Sequence, residues 1–251
     1  MQLYVHHRFI FIGIVVLLCV LIFLALEYIY IINNGKPVLA PEVRRQAATI
    51  GSGERLTYVI LGDSTAVSQG GEYDQGIAVT TAGFLGNNYT VMYYNFGQVG
   101  ARTADVLSQQ LNQAVELAPD VVLLAVGAND VTHLTRLDSI DQSLTEIISR
   151  LKTSKPSVKI VLTGSPEMGS VPRFPWPIRE FARLRTRHVN EIFQGHTGPE
   201  IIMAPIATET GPLFDKDPSL FAQDNFHPTT EGYKIWVPVV IKALTAILQR
   251  Q

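Results

Sequence analysis

Cysteine is almost absent from the 251-residue chain, and neither sign of charge is in clear excess. The one cysteine, Cys19, lies inside an apolar run, which excludes a disulfide framework, a cysteine zinc cluster and a cysteine nucleophile. The 20 basic and 22 acidic residues give a formal net charge of -2. Because no strong positive field is available to hold a phosphate backbone, we do not expect a nucleic-acid partner.

The chain has one long hydrophobic run, residues 9–32, interrupted only by Glu27. About 20 apolar residues cross a bilayer as a helix, so this run predicts a transmembrane helix after a short tail of residues 1–8. A cleaved signal peptide and a buried core helix are the alternatives. A signal peptide normally has a shorter apolar stretch and an A-x-A-like site, whereas here Ala40 is followed by Pro41. We therefore predict a retained single-pass membrane anchor.

The flanks of this run predict opposite orientations. Arg8 is the only Arg or Lys before it, whereas Lys36, Arg44 and Arg45 follow it. A count of these residues places the C-terminal side in the cytoplasm. A short tail without acidic residues before a first apolar helix is, however, the layout of a signal anchor. We expect the C-terminal side to be extracytoplasmic, against the Lys and Arg count.

The rest of the chain alternates between short apolar runs and longer helical patterns. Residues 33–54 contain Pro and Gly without periodicity and predict a linker, so that the folded domain covers residues 55–251. Strands are predicted at residues 57–61, 90–95, 121–126, 159–163 and 200–204. Helices are predicted at residues 76–85, 103–117, 139–152, 178–193 and 230–248, the last kinked or restarted at Pro238. This alternation predicts an α/β domain with a five-stranded, mostly parallel sheet and helices on both faces.

Polar turns follow the first three predicted strands and precede the last helix. They read Gly-Asp-Ser-Thr at residues 62–65, Asn-Phe-Gly-Gln-Val-Gly at 95–100, Gly-Ala-Asn-Asp at 127–130 and Asp-Asn-Phe-His-Pro at 224–228. Each alone fits ordinary turn chemistry, because these residue types dominate turns. Ligands of open α/β sheets gather at the carboxyl ends of strands, however, so the turns are also expected to share one site.

Together these turns contain the groups that acyl transfer requires. A serine hydroxyl needs a base within hydrogen-bond reach and a third group that orients the base. Ser64 is the predicted nucleophile, His227 the base and Asp224 the orienting carboxylate. The backbone N–H groups of Ser64 and Gly100 and the side-chain amide of Asn129 are the predicted oxyanion-hole donors.

These blocks resemble those of the SGNH hydrolase superfamily, the GDSL-like lipases and esterases. Residues 62–64 match its first block, Gly100 its second, residues 127–130 its third and Asp224-x-x-His227-Pro228 its fifth. The resemblance extends from residue 57 to the C-terminus. It implies a flavodoxin-like three-layer α/β/α fold, hydrolysis of esters or thioesters, and no metal or organic cofactor. Thr65 replaces the leucine of the GDSL sequence, which bears on the subfamily more than on the reacting groups.

Other sites are less well supported by the sequence. Ala66 stands where the nucleophile elbow of α/β-hydrolases requires a second glycine. Asn95 stands at the first glycine position of a dinucleotide-binding fingerprint. The histidines outside the predicted triad do not form a cluster with metal-ligand spacing, so no metal site is predicted.

The segment of residues 171–177 is rich in proline and aromatic residues. Its Phe174 and Trp176 are candidates either for the wall of an acyl or sugar pocket or for a cap on the core. Arg179, Arg183 and Arg187 lie on one face of a predicted helix, which is either a solvated face or a patch for anionic lipid or glycan.

The leading functional prediction is a membrane-tethered serine esterase that acts on a small-molecule, lipid or glycan ester. An acyltransferase that passes the acyl group to a glycan hydroxyl uses the same acyl-enzyme, so the triad does not separate the two. A third possibility is an inactive membrane-tethered binding module that keeps only the fold.

Overall fold

The computed structural model describes residues 2–42 and 48–249, with side chains from residue 9 onward. Two of the residues used for the orientation count, Arg44 and Arg45, therefore lie outside the described residues. So do Met1 of the predicted tail and the last two residues of the predicted domain.

The N-terminal helix α1 (Gln2–Asn33) contains the apolar run and extends beyond it in both directions. The most apolar 18-residue window of the segment Phe9–Asn33 has a mean hydropathy of 3.4, and none of that window is buried against the rest of the protein. By length and composition this helix can cross a membrane, although a signal sequence shares both properties.

A six-stranded sheet forms the centre of the following domain. Its strands are β1 (Ala48–Ile50), β2 (Glu54–Gly62), β3 (Tyr89–Asn95), β4 (Val121–Ala125), β5 (Lys159–Leu162) and β6 (Ile201–Met203). Their order is β1-β3-β2-β4-β5-β6, in which β1 is antiparallel to β3 and all other neighbours are parallel. The predicted mostly parallel α/β sheet is confirmed.

The predicted number of five strands is wrong, because β1 adds a sixth at the edge of the sheet. This strand lies within the segment predicted as a linker, as does Glu54, the first residue of β2. With three residues, β1 is too short for an alternating pattern, and its pairing with Tyr93, Met92 and Val91 is a long-range contact.

Helices follow or precede each of the parallel strands. They are α2 (Ile77–Leu85), α3 (residues 103–116, with a π-helical turn Val106–Gln110), α4 (Ala128–Thr132), α5 (Leu137–Ser154), α6 (Ile178–Gly195), α7 (Ile206–Lys216) and α8 (Thr230–Leu248). Two were not predicted: α4 is little more than one turn, and α7 contains Pro212, which disfavours a helix interior. The helix α8 does not restart at Pro238 but continues through it.

The core lies on both faces of the sheet. All five residues of β4 are buried, as expected of a central strand covered by helices on each side. The helices α2 and α7 contact α8, and α3 and α6 contact α5, which gives two helical layers. The layered arrangement leaves the carboxyl ends of β2, β3 and β4 side by side at one edge of the sheet.

Candidate active site

The predicted site residues come from neighbouring turns at that edge. Gly62 at the end of β2 pairs with Ala125 at the end of β4, so the turns that contain Ser64 and Asn129 begin beside each other. The turn after β3 is tied to them, because Gln98 donates its backbone N–H to Gly62 O at 3.0 Å. Parallel pairing thus brings three segments distant in sequence to one place.

Ser64, His227 and Asp224 form a continuous chain of hydrogen bonds. Ser64 Oγ lies 3.1 Å from His227 Nε2, and His227 Nδ1 lies 2.6 Å from Asp224 Oδ2. Because the Asp224 carboxylate accepts the Nδ1–H, Nε2 is left to accept the serine hydroxyl proton. Ser64 and Asp224 are buried, and His227 is partly exposed.

The loop before α8 holds the Asp224 carboxylate in place. Asp224 Oδ1 accepts the backbone N–H groups of Phe226 and His227, each at 3.0 Å. Burial alone would raise the pKa of Asp224, but the hydrogen bonds from His227 and the backbone outweigh it and lower the pKa. The carboxylate is therefore ionised at neutral pH and stabilises a protonated His227.

The predicted oxyanion donors follow the carboxyl ends of β2, β3 and β4. The backbone N–H groups of Ser64 and Gly100 donate no hydrogen bond within the part of the chain that the structure describes. Gly100 has a φ of +80°, and its side-chain position faces open space. Asn129 is buried and donates one amide hydrogen to Ala101 O at 3.1 Å, which leaves the second hydrogen for a ligand. This bond holds Asn129 next to the Gly100 turn.

Two buried aspartates brace these turns. Asp63 Oδ1 accepts the backbone N–H of Thr65 at 2.8 Å, and burial raises the pKa of Asp63 to about 6. Asp130 accepts the backbone N–H and the hydroxyl of Thr103 at 3.0 and 3.2 Å. Burial also raises the pKa of Asp130. Asp63 thus braces its own turn, whereas Asp130 connects the turn after β4 to the start of α3.

A mostly apolar cavity opens beside Ser64 and His227. Its aromatic lining is formed by Phe214, Phe221, Phe226 and Trp236. Sequence reasoning assigned none of the four to a pocket: Phe226 was noted only as part of the 224–228 turn, and the other three lie on α7, on α8 and in the segment between them. Their spacing in the chain is typical of ordinary core residues, and only the packing of α7 against α8 places them at the site.

The structure does not bring Phe174 and Trp176 into this cavity. The Phe174 ring contacts the Phe226 ring edge-on, with 6.0 Å between centroids, and so lies one residue layer away from the cavity. Trp176 is 71% exposed. The segment of residues 171–177 contributes Val171 to the cavity lining, rather than Phe174 or Trp176.

Glu167 is a charged residue of the cavity wall that the sequence did not single out. Its carboxylate accepts the backbone N–H of Gly169 at 2.7 Å, and burial raises its pKa. Its position shortly after β5, at the same edge of the sheet as Ser64, is the signal by which it could have been found.

Among residues 2–42 and 48–249, no group of three or more His, Cys, Asp and Glu side chains is arranged to hold a metal ion. Among the arginines of α6, Arg183 forms surface ion pairs, whereas Arg179 donates to the backbone carbonyl of Phe174. Arg183 lies 3.2 Å from Asp215 and 3.4 Å from Glu180, as expected of a solvated charged face.

Comparison of the sequence with known protein families identifies the family of this chain. Residues 60–235, more than half of the chain, match the model of the GDSL-like lipase/acylhydrolase family. The chain belongs to this family. The matched region of the GDSL-like domain contains Ser64, Gly100, Asn129, Asp224 and His227.

Among curated proteins, the GDSL-like esterase Rv1075c of Mycobacterium tuberculosis is 26% identical over 195 residues. The match covers 74% of this chain and 60% of the mycobacterial protein, so the chain spans less than two thirds of that relative's length.

Solved structures share the fold of the GDSL-like domain. Phospholipase A1 from Streptomyces albidoflavus NA297 superposes with a TM-score of 0.61 at 18% identity, covering 75% of this chain and 99% of the phospholipase. A family 3 carbohydrate esterase of Clostridium thermocellum superposes with a TM-score of 0.59 at 20% identity, covering 78% and 98%. At these identities the likeness concerns the fold.

Proposed function

We propose that this GDSL-like protein is a serine ester hydrolase that acts through an acyl-enzyme on Ser64. The observation that carries the proposal is the hydrogen-bonded chain Ser64–His227–Asp224 at the carboxyl edge of the sheet. The family membership supports the same activity. An inactive binding module would not require a nucleophile, a base and an orienting carboxylate in this order.

The reaction follows from the positions of these groups. His227 Nε2 takes the hydroxyl proton as Ser64 Oγ bonds to the ester carbonyl carbon. The negative charge that develops on the carbonyl oxygen is stabilised by the N–H groups of Ser64 and Gly100 and by the amide of Asn129. Protonated His227 then gives its proton to the leaving alcohol. Water attacks the acyl-enzyme by the same steps, which releases the acid and regenerates Ser64.

The apolar cavity supports a role as the acyl-binding site. Its aromatic lining lies beside both Ser64 and His227, where it offers an apolar surface to the acyl chain of an ester attacked by Ser64. A carboxylic ester with an apolar acyl group therefore fits this site. Lipid and acylated glycan esters share this acyl chemistry, and a phospholipase and a carbohydrate esterase are both among the proteins with the same fold.

The helix α1 supports a location at a membrane. We propose that it is retained as a single-pass anchor with the catalytic domain outside the cytoplasm. Protease treatment of intact cells tests the orientation: degradation of the domain without lysis is the expected result, and protection until the membrane is opened would reverse the assignment.

Covalent labelling tests the catalytic proposal. The full chain, purified in detergent, is expected to hydrolyse short aryl esters and to take up a fluorophosphonate on Ser64, as mapped by peptide mass spectrometry. Ser64→Ala removes both, with the melting temperature as the control for folding. Labelling of another serine with activity retained contradicts the assignment. Formation of an acylated sugar when a glycan acceptor is added would instead identify an acyltransferase.

A further inference from the structure

The end of α1 is bonded directly to loops of the candidate active site. Arg173 Nε donates to the backbone carbonyl of Ile31, in the last turn of α1, at 3.2 Å. Asn34 directly follows α1, and its Nδ2 donates to Pro172 O at 3.1 Å, while its Oδ1 accepts Asn225 Nδ2 at 2.8 Å. Asn225 stands next to Asp224 in the chain, so the helix ends beside the Asp224 and His227 loop.

The residues after Asn34 continue along the same loop. Gly35 has a φ of +109°, and a Cβ at this position would overlap the carbonyl group of Asp224. Lys36 donates its backbone N–H to Gln223 O at 2.7 Å. Gln69, in the segment that follows Ser64, donates its side-chain amide to Val38 O at 2.9 Å. We call residues 34–38 the strap, since they connect α1 to the loops that hold Asp224 and Ser64.

The strap determines which side of the domain is close to the membrane. Because it packs against the Asp224 loop, a helix α1 that spans a membrane leaves that membrane at the edge of the domain that contains the active site. The opposite edge, where the parallel strands begin, lies farther from the end of α1.

Exposed apolar side chains are concentrated at the same edge. Within residues 48–249, six large apolar side chains are exposed. Five of them lie between the carboxyl end of β3, β4 or β5 and the second turn of the long helix that follows that strand. We call these five the apolar rim: Val99, Leu134, Trp176, Phe181 and Leu184. The sixth, Leu213, lies in the last turn of α7. Single exposed apolar residues are normal on a protein surface, whereas a group of them at the edge of an active site indicates an interaction surface.

We propose that the apolar rim inserts into the interface of the membrane that α1 spans, so that the active site faces the bilayer and takes an amphiphilic acyl ester from it. The inference rests on the proposed esterase function and on the retention of α1. A lipid surface fits the rim better than a soluble partner, because the strap brings this edge to the membrane. Trp176 lies between Arg173 and Arg179, and tryptophan with arginine is typical of the membrane interface, where anionic headgroups attract the guanidinium groups.

The two tryptophans of the chain provide a direct test. Trp176 is 71% exposed and Trp236 is 4% exposed, so a quencher in the bilayer distinguishes them. The full chain is reconstituted into vesicles of phosphatidylcholine and phosphatidylglycerol, with or without brominated acyl chains. Brominated lipid is expected to quench the emission, and Trp176→Phe is expected to remove the quenched part. Emission from Trp176 that is quenched by aqueous iodide but not by brominated lipid overturns the proposal.

Paired variants test the consequence for substrate. Phe181→Ser removes a rim residue that is 53% exposed, and Leu213→Ser is the matched control, since Leu213 is 48% exposed outside the rim. Each variant is given a long-chain ester dissolved in the vesicles and a water-soluble short aryl ester. Phe181→Ser is expected to slow hydrolysis of the vesicle ester about tenfold, as loss of one inserted apolar side chain predicts, and to leave the soluble ester unaffected. Leu213→Ser leaves both rates unchanged.

The outcomes separate this proposal from the esterase assignment. Equal rates of vesicle-ester hydrolysis in wild type and Phe181→Ser, or an equal loss with both esters, contradict insertion of the rim. If neither ester is hydrolysed by the wild type, the esterase function fails, while bromolipid quenching still decides whether the rim inserts.

Discussion

His227 Nδ1 lies 2.6 Å from the Asp224 carboxylate, although only two residues separate the two side chains in the chain. The same carboxylate accepts two backbone N–H groups of its own loop. The orientation of the histidine is therefore set locally, within one short turn, whereas its contact with Ser64 depends on the whole sheet.

Replacement of Asp224 tests this local orientation. Asp224→Asn keeps the shape of the side chain but offers an amide in place of a charge, so the imidazole is no longer held as the Nδ1–H tautomer and its protonated form is not stabilised. We expect kcat for a short aryl ester to fall by on the order of 10³ to 10⁴. A steady-state assay checks this, with circular dichroism as the control for folding. Near-normal kcat would show that Asp224 does not orient the base.

Asn129 tests the oxyanion hole. Its free amide hydrogen serves the charge that develops in the transition state, so Asn129→Ala should lower kcat by on the order of 10² to 10³ with little change in KM. Asn129→Asp should be at least as harmful, since a carboxylate has no donor and repels the developing charge. Either substitution removes the hydrogen bond from the Asn129 amide to Ala101 O, so the melting temperatures of both variants are compared with their rates. A mild effect of Asn129→Asp on kcat would leave Asn129 with only a structural role.

The buried carboxyl group of Asp63 predicts a pH dependence of stability. Burial raises its pKa in the folded state to about 6, above its ordinary value of 3.8. Its contribution to stability is thus fully present below about pH 4 and is lost as the pH rises through about 6. We expect the free energy of unfolding of Asp63→Asn to rise relative to wild type between pH 4.5 and 7.5. Denaturant titrations across this range measure the difference, and a difference independent of pH would show that Asp63 has no raised pKa.

The pKa of Asp224 is shifted in the opposite direction to that of Asp63, so its effect on the free energy of unfolding falls at lower pH. Because its pKa is lowered in the folded state, its contribution to stability is present above its ordinary value and is lost as the pH falls through the folded-state pKa. The window used for Asp63 lies above this range, so the two effects are separable.

Asn34 tests the strap as a positioning element. Its side chain joins Pro172 to Asn225, beside Asp224, and Asn34→Ala removes both hydrogen bonds. We expect kcat for a soluble aryl ester to fall about fivefold to tenfold with KM unchanged, as for loss of about 1 to 1.5 kcal/mol of support to the Asp224 loop. Asn33→Ala is the matched control, because the Asn33 side chain is exposed and donates to Ile29 O within α1 rather than to the active-site loops. Equal effects of the two variants on kcat would contradict a role for the strap in the active site.

The strands with a strong apolar pattern could be located from the sequence alone. The runs that became β2, β4 and β5 are apolar because helices cover both faces of the sheet, and such burial leaves a clear pattern in the chain. The edge strand β1 leaves no such pattern, because three residues pair on one side with Tyr93, Met92 and Val91. The helix α7 was missed because Pro212 disrupts the local signal, while packing against α8 stabilises the helix.

The sequence by itself determined the chemical types and the order of the groups that the site contains: a serine after β2, an amide after β4, and a carboxylate and a histidine three residues apart before α8. Those features are local, because each lies within one short turn, and the residue types of the turn are visible in the sequence. Only the tertiary structure decided that Phe214, Phe221 and Trp236 form the cavity wall and that the strap lies against the Asp224 loop. Both depend on contacts between segments far apart in the chain, whose residues are selected for packing and carry no pattern of their own.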